Sequence, residues 1–245
     1  MKRITKRLIR RLGGELPVMD DQSPDQIVFI HIGKNAGTQI KYLSRQINEI
    51  QDDRRITWYG HRLTLRDIPE DIPFFFSVRD PVSRFKSGFY SRKRKGQPRT
   101  YNEWIAAENE AFSRFEHAND LAEALYSKTQ DGEHAMFAMN NIGHVREHQI
   151  HWFEAAGIFL ENKRPVWIIR HEHFERDFRA FLKNANLPVD YEKLQTADDD
   201  NRAHAFNYSG TPELTPLARK NLLAWYSRDV EFYNACENWV EKSAP

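Results

Sequence analysis

The chain has 245 residues, of which 40% are apolar and 29% charged, and its formal net charge is +1. This composition is typical of one soluble globular domain with a substantial core. The single cysteine, Cys236, excludes an intrachain disulfide, and no apolar run approaches the roughly 20 residues that span a bilayer. With no signal-peptide pattern either, we expect a cytoplasmic protein, and the near-zero net charge argues against a nucleic-acid partner.

A basic segment comes first in the chain. Met1–Leu12 alternates six Lys and Arg residues with Ile and Leu, and in a helix the apolar residues would share one side. Such a helix could make weak peripheral contact with an anionic membrane, or it could be a solvated helix that frays before Gly13. We therefore divide the chain into a basic N-terminal segment, residues 1–25, and one domain, residues 26–245.

The run from Gln26 to Tyr42 predicts a strand, a turn and a helix. Five of the six residues in Ile27–Ile32 are apolar, most of them β-branched or aromatic, and an amphipathic pattern follows the turn at Gly33–Thr38. A turn of this kind points backbone N–H groups and the positive helix end at one spot, which suits a phosphate or sulfate group. The spacing is not G-x-x-x-x-G-K-[ST], and glycine in such a turn can also be purely steric.

A second strand, turn and helix follow further along the chain. Pro73–Val78 reads as a buried strand, after which Asp80 can cap a helix that has Pro81 in its first turn. Arg79 ends the strand, and Ser87 lies two helical turns later. Because the carboxyl ends of parallel strands share one sheet edge, we expect both units to present polar groups there.

The remaining elements alternate between strands and helices. Strands are predicted at Arg55–Tyr59 and Pro165–Arg170, and helices at Tyr101–Ala107, Glu110–Lys128, His144–Ala156, Phe174–Leu182 and within Thr215–Trp239. Thr196–Thr211 is the longest polar loop and a candidate lid. This order predicts an α/β fold: a single P-loop-like three-layer domain with a mainly parallel central sheet and helices on both faces.

Two stretches resemble the carbohydrate sulfotransferases. Phe29–Thr38 is similar to their 5′-phosphosulfate loop, and Val78–Phe89 to their 3′-phosphate motif, with the same Arg-to-Ser spacing. The greatest likeness is to the branch of heparan and dermatan 2-O-sulfotransferases and related bacterial enzymes. Two positions depart from the family pattern, Gly33 where proline is frequent and Asn35 where threonine or serine is common. Weaker resemblance extends to Val166–Phe181 and Trp225–Tyr233.

The resemblance implies a donor, 3′-phosphoadenosine 5′-phosphosulfate (PAPS), and a product, 3′-phosphoadenosine 5′-phosphate (PAP). The phosphosulfate would be held by Gly33, Lys34, Asn35, Ala36, Gly37 and Thr38. Arg79 and Ser87 would hold the 3′-phosphate, while Arg202 and Tyr208 would close over the adenosine or that phosphate. The implied reaction is in-line transfer of the sulfuryl group to a hydroxyl, on a carbohydrate acceptor. Such a transfer needs mainly positioning and charge stabilisation, so we expect no metal.

His61 is the expected base, and Lys34 and His61 together are the expected catalytic pair. A histidine near its ordinary pKa can take a proton at neutral pH, and Gly60–His61 follows a predicted strand. His61 could instead be an exposed loop residue. The rival His31 lies inside an apolar strand, which favours a hydrogen-bonded core position.

Other polar clusters have two interpretations each. His144, His148 and His151 would share a helical face, as either a surface or a metal site. The basic run containing Arg92, Lys93 and Arg94 could bind an acidic glycan, or simply complement a helix C-terminus. Glu172 could orient a sugar hydroxyl, or it could cap the next helix.

Two other functions remain open from the sequence. A P-loop-like kinase would require an acidic magnesium ligand at a strand end, where Asp80 is the obvious candidate. A non-catalytic module for an anionic glycan or nucleotide would require only the basic surfaces. The acceptor and the oligomeric state are not predicted.

Overall fold

The structure is a computed structural model that describes residues 10–11, 14–15, 26–98, 100–153, 157–195 and 210–243. The strands are β1 (Arg10–Arg11), β2 (Gly14–Glu15), β3 (Gln26–Ile30), β4 (Arg55–Trp58), β5 (Phe74–Val78) and β6 (Ile168–Arg170). The helices are α1 (Gly37–Ile50), α2 (Pro81–Lys93), α3 (Ala106–Arg114), α4 (Ala118–Ala124), α5 (Gln130–Asn141), α6 (Phe159–Asn162), α7 (Phe174–Asn184), α8 (Pro216–Trp225) and α9 (Ser227–Ser243).

The central sheet has four parallel strands in the order β4-β3-β5-β6. Val28 pairs with Phe74, and Phe76 pairs with Ile168. All five residues of β3 and of β5 are buried, as continuous apolar strands in a covered parallel sheet require. All four strands end at one edge, where the two predicted turns also lie.

Helices cover both faces of this sheet. Successive side chains of a strand point to opposite faces, and the ring of Phe75 lies 4.0 Å from that of Phe181 in α7. The neighbouring Phe76 faces the other way, with its ring 6.2 Å from that of Phe232 in α9. The predicted three-layer α/β architecture is therefore confirmed.

A second apolar cluster lies between α2, α3, α4, α5 and α8. Phe85 and Phe89 of α2 join Phe112, Leu121 and Leu222 in this cluster. Because α2 buries these residues on one side, its polar residues are left to face the sheet edge. This helical layer supports the second turn from behind.

Helix predictions were wrong in two places between α2 and α5. Residues 101–105 are not helical, and α3 begins only at Ala106. The predicted helix Glu110–Lys128 is broken before α4, where the Asp120 carboxylate accepts from the backbone N–H of His117 at 2.8 Å and starts a new helix. Helix α5 was not predicted.

The predicted helix His144–Ala156 is wrong as well. His144 has a left-handed backbone, with φ of 65°, and a short 3-10 turn follows at Gln149–Trp152. The Asp229 carboxylate accepts from the N–H groups of Gln149 and Ile150, at 2.9 and 3.1 Å, and so diverts them from helical bonding.

The basic segment is only partly described. Arg10–Arg11 forms β1, which pairs antiparallel with β2, so this part of the expected helix is wrong. Residues 1–9 lie outside the described ranges. Within those ranges, each helix is too short or too polar to cross a membrane.

Candidate active site

A cavity of about 280 Å³ opens where the strands end. Its cationic lining residues are Lys34, Lys41, Arg79 and Arg92, its hydroxyl groups belong to Thr38, Ser87, Ser91 and Thr100, and its imidazoles to His31, His61, His144 and His171. Among the residues that the structure describes, no carboxylate lines it. The cavity therefore suits an anionic ligand.

The turn between β3 and α1 forms one wall. Lys34 and Ala36 both have left-handed backbones, with φ of 71° and 59°, a strain that is common at functional sites. The first N–H groups of α1 have no acceptors within their own helix, and its first turn holds no acidic residue. The positive end of this helix is therefore available for an anion.

Gly37 is required by a close approach. A Cβ atom at this position would lie 2.0 Å from Nε2 of His31. The His31 ring cannot move aside easily, because it lies between the rings of Phe29, at 5.5 Å, and His61, at 4.0 Å. The turn therefore requires glycine at position 37.

Asn35 lies behind the turn. Its side chain is fully buried, and Nδ2 donates to the Ser77 carbonyl at 2.9 Å and to Oε1 of Gln149 at 2.6 Å. The Asn35 carbonyl accepts from the Ser77 hydroxyl at 2.5 Å. The side chain thus anchors the loop to β5, and of the predicted loop residues neither Asn35 nor Gly33 is among those that line the cavity. The Gly33 carbonyl also anchors the loop, because it accepts from Nε of Arg84 at 3.0 Å.

Arg79 reaches the same cavity from the end of β5. Its Nε donates to the Ser83 hydroxyl at 2.9 Å, and its Nη1 lies 3.4 Å from the Lys34 carbonyl. Ser87 also lines the cavity, from the face of α2. The two predicted turns, 45 residues apart at this contact, therefore meet.

The surroundings of Lys34 lower the pKa of its ammonium group. Burial lowers its pKa to about 7, and neighbouring guanidinium groups contribute. These groups belong to Arg79, Arg94 and Arg84, in decreasing order of effect. An anion in the cavity would restore the charged form of Lys34.

His61 is held in one tautomer. Its Nδ1 lies 3.0 Å from the His31 carbonyl, which can only accept, so Nδ1 carries the proton of the neutral ring and Nε2 is left as an acceptor. Burial lowers the pKa of His61, so the ring is neutral at pH 7. Trp152 fixes the backbone through a 3.0 Å bond from its Nε1 to the His61 carbonyl.

The other histidines do not share one helical face as predicted. The His144 ring lies 6.4 Å from that of His61 and 3.6 Å from the Glu147 carboxylate, on the cavity wall. His148 and His151 contact each other, with ring centroids 5.1 Å apart. In the described ranges, no group of three or more His, Cys, Asp or Glu residues is arranged to hold a metal. His31, expected in the core, is buried but also lines the cavity.

Several residues predicted to bind an acceptor are already paired. Arg92 forms a 2.5 Å ion pair with Glu108, and Lys93 a 2.8 Å pair with Glu116. Glu172 accepts from the Asp80 N–H at 3.0 Å, so it fixes the second turn. Arg94 contributes charge near Lys34.

Sequence reasoning missed part of the lining. Ser91 lies one helical turn after Ser87, and Lys41 one turn after Thr38, so helical spacing could have indicated both. Thr100 and Asn102 enter through a loop that returns on itself, where the Asn102 N–H donates to the Lys95 carbonyl at 2.7 Å. No local pattern marks that return.

The predicted adenosine contacts, Arg202 and Tyr208, lie outside the described residues, as does the candidate lid up to residue 209. A model described as the sulfotransferase family matches residues 18–234. No curated protein matches the chain. The family match covers both turns and every residue that lines the cavity, and the chain therefore belongs to the sulfotransferase family, whose members transfer sulfuryl groups.

Proposed function

We propose that the protein transfers the sulfuryl group of PAPS to a hydroxyl of a carbohydrate, with His61 as the base. One observation carries this proposal: the Lys34 turn and the Arg79–Ser87 motif line a single cavity. A nucleotide with anionic groups at both ends of its ribose requires two such sites in one space.

The cavity residues fit the two ends of this donor. The first turn of α1 and Lys34 supply N–H groups and a positive charge for the phosphosulfate. Arg79 and the Ser87 hydroxyl supply a planar guanidinium and a further donor for the 3′-phosphate. PAPS supplies an activated sulfuryl group, which leaves its phosphate when a hydroxyl oxygen attacks the sulfur.

Lys34 and His61 have different roles in the transfer. Nε2 of His61 accepts the proton of the attacking hydroxyl, because Nδ1 already donates to the His31 carbonyl. Lys34 neutralises the charge that develops on the leaving phosphate, and the bound anion keeps its ammonium protonated.

A carbohydrate acceptor is supported by the resemblance to glycan-sulfating enzymes and by the positive cavity rim. Lys41 and Arg94 add charge beside the catalytic pair. An acidic sugar chain would find cations there without crossing a carboxylate of the described lining.

A magnesium-dependent kinase is a poorer fit to the same geometry. The Asp80 carboxylate accepts from the Ser83 N–H at 2.7 Å and caps α2, and Asp80 is not among the residues that line the cavity. A binding module without chemistry would have no use for a histidine with a fixed tautomer and a lowered pKa.

Transfer of labelled sulfate from PAPS to a panel of glycans tests the proposal. We expect Lys34→Ala to abolish turnover and Arg79→Ala to raise the KM for the donor more than it lowers kcat. Lys183→Ala and Arg219→Ala, at exposed positions outside the cavity, are matched controls that should leave both constants unchanged. Full activity in Lys34→Ala would overturn the proposal.

A further inference from the structure

A buried glutamine joins the two turns that line the cavity. Gln149 is fully buried, and its Oε1 accepts from Nδ2 of Asn35 at 2.6 Å and from the Arg79 N–H at 3.1 Å. Its Nε2 donates to the Arg79 carbonyl at 2.8 Å. One amide therefore bonds the Lys34 turn and the Arg79 turn at the same time.

The backbone of Gln149 is held by a hydrogen bond to α9. The fully buried carboxylate of Asp229, in α9, accepts from the backbone N–H groups of Gln149 and Ile150, at 2.9 and 3.1 Å. Bonds to an ionised acceptor are among the stronger hydrogen bonds in proteins. The backbone of Gln149 is thus fixed to α9, and Gln149 is not among the residues that line the cavity.

We propose that Gln149 is a positioning residue that fixes the separation of the two anion sites and so selects nucleotides with anionic groups at both the 3′ and the 5′ positions. This inference rests on the proposed donor. Gln149 does not touch the ligand; it acts through Asn35 and through the backbone of Arg79.

The physical reason is preorganisation. A ligand that spans two sites gains from both only if their separation is already correct, since ordering two loops on binding costs free energy. A nucleotide with one phosphate uses one turn, and the distance to the other turn does not affect it. Removal of the amide should therefore weaken binding of the doubly substituted nucleotide selectively.

Calorimetric titration of PAP, 5′-AMP and 3′-AMP into wild-type protein and Gln149→Met tests this selectivity. Methionine has a similar volume but makes none of the three bonds. We expect the affinity for PAP to fall by about tenfold, while the affinity for each mononucleotide changes by less than about threefold. A general loss of stability would not produce that difference.

Asn221→Leu provides a matched control. Asn221 is another buried amide, in α8, and donates to the Ala122 and Leu125 carbonyls at 2.9 Å each, within the helical cluster. Its replacement should lower stability without changing the preference for PAP over the mononucleotides.

Two failures are distinguishable. If wild-type protein binds PAP no more tightly than 5′-AMP, the proposed donor is wrong. If wild-type protein prefers PAP and folded Gln149→Met keeps the full preference, the role of Gln149 is overturned. Should Gln149→Met not fold, Asn35→Ser cuts the same link from the other turn, and a retained preference there overturns the inference equally.

Discussion

Lys34 combines a strained backbone with a surplus of positive neighbours. Its left-handed φ of 71° and the charges of Arg79, Arg94 and Arg84 are both unfavourable in the free protein. An anionic ligand relieves the charge repulsion, so part of the binding free energy comes from the ligand acting as a counter-ion. The sequence predicted Lys34 and Arg79 at one sheet edge but not the approach of Arg84 and Arg94 to Lys34, which depends on the folded turn.

The pH dependence of kcat/KM for the donor follows from two groups. Lys34 must be charged to bind an anion, and its pKa of about 7 predicts a fall in kcat/KM above that pH. His61 must be neutral, and its lowered pKa places the rise on the acid side below pH 6.5. The profile should therefore be a bell with its maximum between these limits.

Lys34→Arg is the control for this assignment, because a guanidinium stays protonated over the whole range. We expect a slower enzyme whose alkaline limb has moved above pH 9. An unchanged alkaline limb in that variant would assign the limb to another group.

Gly37→Ala should be damaging although it adds one methyl group. The new Cβ would overlap the His31 ring, which is confined between Phe29 and His61. We expect a cost of about 1–3 kcal/mol in unfolding free energy and a large loss of activity. Gly210→Ala, where no atom of the described residues lies within 4 Å of the added Cβ, is the control for the unfolding free energy. Wild-type activity in Gly37→Ala would contradict the close approach.

At the scale of elements, α2 orients the Arg79–Ser87 motif. The Asp80 side chain caps the N-terminus of α2, and the Asp80 backbone N–H donates to the Glu172 carboxylate. Strand, cap and helix here were predictable, because each follows from neighbouring residues. The segment from His144 to Trp152 was not, because its conformation is set by Asp229, which lies 80 residues beyond Gln149.

Asp80→Ala separates the local role of this cap from general stability. Loss of an N-cap costs about 1 kcal/mol, which lowers Tm by about 2–4 °C in a chain of this size. Thr215→Ala removes the corresponding cap of α8, where the hydroxyl accepts from the Ala218 N–H at 3.2 Å. Because the Thr215 hydroxyl also donates to the Glu123 carboxylate, we expect Tm to fall at least as far in Thr215→Ala, but the KM for the donor to rise only in Asp80→Ala. An equal rise in KM in both would show that the cap has no special part in the site.

At the scale of the whole molecule, one sheet edge brings distant segments together. The parallel direction of the strands was predictable from alternating apolar strands and helices, and with it the meeting of the Lys34 and Arg79 turns, whereas the strand order was not predicted. Local pattern could not place His144 or Gln149, which reach that edge from a segment 65 or more residues beyond Arg79. Such contacts depend on packing between layers, and no spacing rule encodes them.

The central claim is that the Lys34 turn and the Arg79–Ser87 motif bind the same nucleotide. Its most direct test is a thermal-shift comparison of PAP with ATP–magnesium. At 100 times its Kd, PAP should stabilise the protein by about 2.7 kcal/mol and raise Tm by about 5–10 °C, without added metal. Arg79→Ala should lose most of that rise. A shift with ATP–magnesium and none with PAP would contradict the claim that both turns hold one bisphosphorylated nucleotide.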